Sequence, residues 1–109
     1  MEDLNEWVEK INDDGSLIIV EGIKDKKALE EIGVKNKIMM LSKKPIFSVI
    51  EDASANKKAV ILTDLDKEGK KLYGILKDGL SRHGVVVDNK FREFLFRETK
   101  IRQIEGLTL

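Results

Sequence analysis

The chain has 109 residues, 41% of them apolar and 37% charged, with 20 basic and 20 acidic side chains and a formal net charge of zero. That balance argues against a general polyanion binder, and the apolar content is that of a folded domain rather than a disordered segment. No cysteine is present, so disulfides and thiolate metal sites are excluded. No apolar run approaches the ~20 residues that span a bilayer. The length implies one domain over residues 1–109. An acidic, amphipathic start is wrong for a signal peptide, so a cytoplasmic location is expected.

Leu4, Trp7, Val8 and Ile11 recur at helical spacing, which predicts a helix over the first dozen residues. Asp14-Gly15 is a turn signal. Leu17 to Val20 reads as a buried strand, and Lys24 to Ile32 as a helix with Gly33 just past its end. Lys37 to Leu41 is a second strand, with Met39 and Met40 expected in the core. Ser42 and Pro45 open a short helix to about Ala53, and Ala59 to Thr63 is a third strand.

Lys67 to Arg82 is the longest helix. Leu72, Ile75, Leu76 and Leu80 are expected on its buried face, and Tyr73 is read as packing. His83-Gly84 ends it, with His83 read as a cap. Val85 to Val87 is a fourth strand and Phe91 to Arg97 a last helix with Phe91, Phe94 and Leu95 inward. The tail from Ile101 to Leu109 matches no element. Its apolar residues Ile101, Ile104, Leu107 and Leu109 either close the core or seal a dimer.

Strands alternating with helices predict an α/β fold, Rossmann-like, with three α/β/α layers about a mainly parallel four-stranded sheet. A 2-1-3-4 order would put the first and third strands side by side, with the reversal between them. Ligands of such sheets bind at the carboxyl ends of strands where the order reverses. Glu21 follows the first strand there, and Asp64 and Asp66 follow the third. An extended backbone through Leu65 would point both aspartates the same way. Three converging carboxylates need their charge offset, and a hard divalent cation, magnesium or also manganese, takes such oxygen ligands. One aspartate could instead cap the long helix. Gly22 and Gly69 are read as permitting close backbone approach beside the acids.

Lysines gather at the same edge: Lys24, Lys26 and Lys27 after the first strand, Lys43 and Lys44 after the second, Lys67, Lys70 and Lys71 after the third. Acid collects elsewhere, in Glu2, Asp3, Glu6 and Glu9 and in Glu93, Glu98 and Glu105. Of these, Lys24, Lys27, Lys67, Lys70 and Lys71 are the candidate phosphate contacts. Arg92, Arg97 and Arg102 form a candidate phosphate-facing strip, with surface ion pairing the competing reading.

Val20-Glu21-Gly22 followed by a basic helix, then Thr63-Asp64-Leu65-Asp66-Lys67-Glu68-Gly69, resembles the Toprim domain of topoisomerases, DnaG-type primases, RecR-type recombination proteins and 5S ribosomal RNA maturases. The likeness spans about residues 16–87, with a helix before it and an extension after it. It implies that Glu21 is the general acid or base and that Asp64 and Asp66 hold magnesium. Leu65 stands where topoisomerases and maturases carry proline. The chain has no counterpart of a topoisomerase gate or of a primase zinc module, and is similar to the stand-alone small Toprim proteins.

Three functions remain open on these residues. The first is a magnesium-dependent nuclease or RNA-processing phosphotransferase acting on RNA or DNA. The second is a non-cleaving nucleic-acid-binding or recombination and repair module using the same basic edge, a reading that a homodimer or larger complex would favour. The third is a receiver-like switch phosphorylated on Asp64, which the single acid after the first strand disfavours.

Overall fold

The computed structural model describes residues 3–108, so Met1, Glu2 and Leu109, and the readings that fell on them, lie outside the described residues. Five helices and four strands alternate: α1 (Leu4–Asp14), β1 (Leu17–Val20), α2 (Ile23–Glu31), β2 (Ile38–Met40), α3 (Ile46–Ala53), β3 (Lys58–Ile61), α4 (Lys67–Arg82), β4 (Val86–Val87) and α5 (Lys90–Glu98). Two 3₁₀ turns, Leu41–Lys43 and Ile104–Gly106, complete the described elements. The four strands form one parallel sheet in the order β2-β1-β3-β4, so the expected reversal lies between β1 and β3.

Local chemistry sets the element ends. Asp3 caps α1 by accepting from the Glu6 N–H at 2.8 Å. Gly15 ends that helix in the left-handed region at φ 70° and donates to the Ile11 carbonyl, a conformation that costs glycine nothing. His83 closes α4, its Nδ1 2.9 Å from the Gly79 carbonyl oxygen.

Strand alternation then sorts the core into two layers. Ile18, Val20, Val60 and Leu62 face Trp7, Val8 and Ile11 of α1, Ala28 and Leu29 of α2 and Leu95 of α5. Leu17, Ile19, Ala59 and Ile61 face Val49, Ile50 and Ala53 of α3 and Leu76 and Leu80 of α4. Three helices therefore cover one face and two the other. Trp7 is fully buried and its indole N–H donates to the Phe91 carbonyl at 3.0 Å, which joins the first helix to the last.

The tail packs as part of this core. Ile104 and Leu107 are buried in the α1–α2–α5 layer, so they close the core, as one of the two expectations had it. Two other expectations need correction. Ile75 is not on the buried face of α4; it stands 37% exposed. The stripe that faces the sheet runs through Gly69, Leu76 and Leu80, and Ile75 lies about 100–140° round the helix from each of them. Met39 and Met40 are only half-buried, because β2 is an edge strand. Among the described residues no helix is long and apolar enough to cross a membrane.

Candidate functional site

The β1–β3 pairing sets Ile19 beside Ile61, and two further residues along each chain bring Glu21 alongside Thr63. Glu21 then reaches across the strand ends: its Oε2 accepts the Asp64 N–H at 2.7 Å. The neighbouring β2 exit is tied to the same place by Ser42 N–H donating to the Glu21 carbonyl at 3.0 Å. Glu21, Gly22, Ile23, Lys24, Asp25, Ser42, Asp64 and Glu105 line one cavity of about 440 Å³. Glu21, Asp64, Gly22 and Lys24 are thus brought together.

The two aspartates part company. Residues 65 and 66 form a bend instead of the expected extended run. Asp66 turns to cap α4, its Oδ1 accepting the Gly69 N–H at 2.7 Å, and Leu65 N–H is drawn to the Arg102 carbonyl at 2.8 Å. Asp66 lines a separate cavity of about 560 Å³ with Leu65, Lys100, Ile101, Arg102, Gln103 and Gly106. Lys27 lies on a third, shared with Lys24 and Glu105. Lys67, Lys70 and Lys71 stand exposed on the first turns of α4.

Gly69 is required by close approach. A Cβ there would sit 2.0 Å from the Asp64 carbonyl oxygen, and the buried Thr63 hydroxyl donates to the Gly69 carbonyl at 2.7 Å. Gly22 is different. Its φ of −155° is extended backbone, and a Cβ would meet only Ser42 Oγ at 3.9 Å, so nothing in the fold demands glycine there.

Burial, and like charges after it, shape the electrostatics. Burial pushes the Glu21 carboxyl above its ordinary value, and Asp64, Asp66 and Asp25 push the same way against the Asp64 N–H. Burial also raises Asp64; Asp66 and Glu105 add to it, while the Ile104 N–H and Arg92 oppose it. Asp25, 6% exposed, is raised first by burial and further by Asp64 and Glu105, although it accepts the Gly22 N–H at 3.0 Å. Among the described residues no three His, Cys, Asp or Glu side chains converge tightly enough to hold a metal ion between them.

Sequence reasoning missed Asp25, Ser42 and Glu105 as site residues and misplaced Arg92. Asp25 had a signal, an acid three residues after the helix start, where a side chain can reach back to a free N–H. Glu105 had none, because its place depends on how the tail folds. Asp64 Oδ1 accepts the Ile104 N–H at 2.7 Å, and that bond carries the tail across the site. The arginine strip does not form. Arg92 donates to the Thr63 and Asp64 carbonyls, Arg97 pairs with Glu93 on its own helix, and Arg102 Nη1 donates to three carbonyls of its own segment.

No family model matches the sequence. Individual relatives do. The chain is 32% identical over 102 residues to a UPF0292 protein of Methanocaldococcus jannaschii, covering 90% of this chain and 80% of that one. It is 33% identical to a UPF0292 protein of Thermococcus kodakarensis, covering 95% and 82%, and 36% identical to one of Pyrococcus abyssi, covering 92% and 75%. The chain belongs to the UPF0292 family. A solved structure of an Aquifex aeolicus protein superimposes with a TM-score of 0.88 at 34% identity, over 98% of this chain and all of that one. The UPF0292 chain and that protein therefore share their fold over nearly the whole of this chain.

Proposed function

We propose that the chain is a Toprim-type, magnesium-dependent phosphotransferase acting on nucleic acid, a nuclease or RNA-processing enzyme centred on Glu21 and Asp64. The observation that carries this reading is the 2.7 Å bond between the Glu21 carboxylate and the Asp64 N–H at adjacent parallel strand ends. Those strand ends are where open α/β sheets bind ligands. The order and spacing of Val20-Glu21-Gly22 and Asp64-Leu65-Asp66-Lys67-Glu68-Gly69 support the same reading.

The donor chemistry fits a hard cation. Every candidate ligand atom is a carboxylate oxygen, and the Glu21 and Asp64 carboxyls are raised first by burial and further by neighbouring acids. Magnesium is usually held by one or two carboxylates, keeping waters that a phosphate can displace. Glu21 and Asp64 would hold it, or manganese, while Asp66 stays turned away as the cap of α4. When bound, it supplies Lewis-acid stabilisation of charge on the scissile phosphate.

The chain's own residues do the rest. Glu21, its carboxyl raised chiefly by burial, exchanges the proton of the attacking or leaving oxygen. Lys24, on the same cavity wall, and Lys27 beside it bind phosphate. Lys67, Lys70 and Lys71 contact phosphates farther along the strand.

The test is an end-labelled panel of structured RNA and DNA incubated with and without magnesium or manganese. Metal-dependent cleavage is expected, and Glu21→Gln and Asp64→Asn are each expected to lose at least about a hundredfold of it. Glu21→Gln keeps an amide oxygen for the Asp64 N–H, so folding should be spared. Activity that survives both substitutions would refute the reading. One observation favours the non-cleaving binding module: no three acids converge among the described residues. That module predicts salt-dependent binding that survives loss of all three acids, with no cleavage.

A further inference from the structure

The two-residue strand β4 leaves part of β3 uncovered. Val86 N–H donates to the Lys57 carbonyl and Asp88 N–H to the Ala59 carbonyl. Strand carbonyls facing one side recur every second residue, so Ile61 and Thr63 come next in that row, and β4 has already ended. Arg92, early in α5, reaches back into the gap. Its Nε donates to the Thr63 carbonyl at 3.0 Å and its Nη2 to the Asp64 carbonyl at 2.8 Å. The guanidinium lies 4.7 Å from the Tyr73 ring centroid and 5.0 Å from that of Phe96. Two aromatic faces fix the plane of the fork, and the fork takes consecutive carbonyls.

We infer that Arg92 is a positioning residue for the candidate site, substituting for the missing length of β4 and holding the Thr63–Asp64 backbone at the angle that aims the Asp64 carboxylate. This rests on the reading of Glu21 and Asp64 as a cation site. The loop is gripped from two sides: Arg92 takes its carbonyls, while the tail takes the Leu65 N–H and Asp64 Oδ1. A planar fork suits the task because its donors are fixed relative to one another. A lysine brings the same charge as a single point donor.

Arg92→Lys therefore separates geometry from charge. Two readouts are taken on the full chain: amide hydrogen exchange by NMR, and manganese affinity by water-proton relaxation. In Arg92→Lys, the Asp64 and Leu65 amides should exchange at least about tenfold faster, the factor expected for losing one bond from a charged donor. The Ile18 and Val60 amides should be unchanged, and manganese affinity should fall by a similar factor. A merely structural role would move core and loop amides together. Unchanged loop amides, or loosened loop amides with unchanged manganese affinity, would overturn the inference. A wild type with no manganese affinity would instead overturn the cation reading; the loop amides alone would then decide whether Arg92 fixes the Asp64 backbone. If Arg92→Lys proves too unstable to compare, Phe96→Leu, which removes one face of the aromatic clamp, should give the same pattern more weakly, and an unchanged loop there would overturn the inference.

Discussion

Gly69→Ala is a sensitive perturbation of this design, because it adds one methyl group beneath the acid loop. The new Cβ would lie 2.0, 2.6 and 2.9 Å from the carbonyl oxygen, carbonyl carbon and nitrogen of Asp64. Ordinary carbon–oxygen contact is about 3.3 Å or more, so the loop must retreat by roughly 1 Å. Overpacking of this kind costs about 1–3 kcal/mol. The retreat also strains the Gly69 N–H bond to Asp66 and the Thr63 hydroxyl bond to Gly69, at about 1 kcal/mol each. Against this, alanine gains about 1 kcal/mol of helix preference over glycine. The net expectation is about 2–4 kcal/mol of destabilisation, or roughly 10–30 °C in Tm for a domain of this size.

Gly74→Ala is the matched control on the same helix. Gly74 is exposed and its added Cβ meets nothing within 4 Å, so a gain of up to about 1 kcal/mol is expected. Urea melts followed by the fluorescence of Trp7 give both numbers. Opposite signs support the close-approach account of Gly69. A Gly69→Ala protein as stable as the wild type would refute it.

Ile104→Ala should cost about 2–4 kcal/mol in the same melts, because the side chain is fully buried in the core; a change within about 0.5 kcal/mol would mean the tail does not pack as described. Glu21, Asp25 and Asp64 are raised in the fold, so the folded chain binds more protons than the unfolded one above their ordinary range. Their favourable contribution is complete below the ordinary values of 3.8 to 4.5 and is lost as pH rises through the raised ones. Asp64→Asn should accordingly lose less of its urea midpoint than the wild type as pH rises from the ordinary carboxylate range. Equal losses would contradict the crowding of charge at the site. Asp14 works the other way. Burial raises it, but the Lys58 and Ser16 hydrogen bonds outweigh that and leave it lowered. Its stabilisation is present above 3.8 and is lost as pH falls through the lowered value. Asp14→Asn should therefore narrow the loss of midpoint at acid pH, and an undiminished loss would contradict this.

The fold was legible where hydrophobic pattern and capping chemistry agree. Leu17–Val20 and Lys67–Arg82 have the bounds the sequence predicts, since a short β-branched apolar run just past a Gly turn suits a buried strand and Asp66 and His83-Gly84 mark both helix ends. The strand order followed from placing acid-ended strands side by side. The site was half legible. Glu21 and Asp64 meet because parallel register carries residues past both strand ends together. That one aspartate could cap α4 was legible, and Asp66 does so; that Leu65 bonds a tail carbonyl 37 residues away in sequence was not. Arg92 was misread for a related reason. Nothing in Lys90-Phe91-Arg92 shows that β4 stops two residues short, so an inward-reaching arginine looks the same as an exposed one. Glu105 enters the site only through long-range packing of Ile104 and Leu107.

The central claim is that Glu21 and Asp64 together form a site for a hard divalent cation. A manganese titration of the wild type, Asp64→Asn and Glu21→Gln proteins by electron paramagnetic resonance, with magnesium as competitor, tests it most directly. The account predicts a wild-type site that magnesium displaces, with affinity reduced at least about tenfold in Asp64→Asn, as loss of a charged oxygen ligand requires. Equal manganese binding by all three proteins, or none by any, would contradict it.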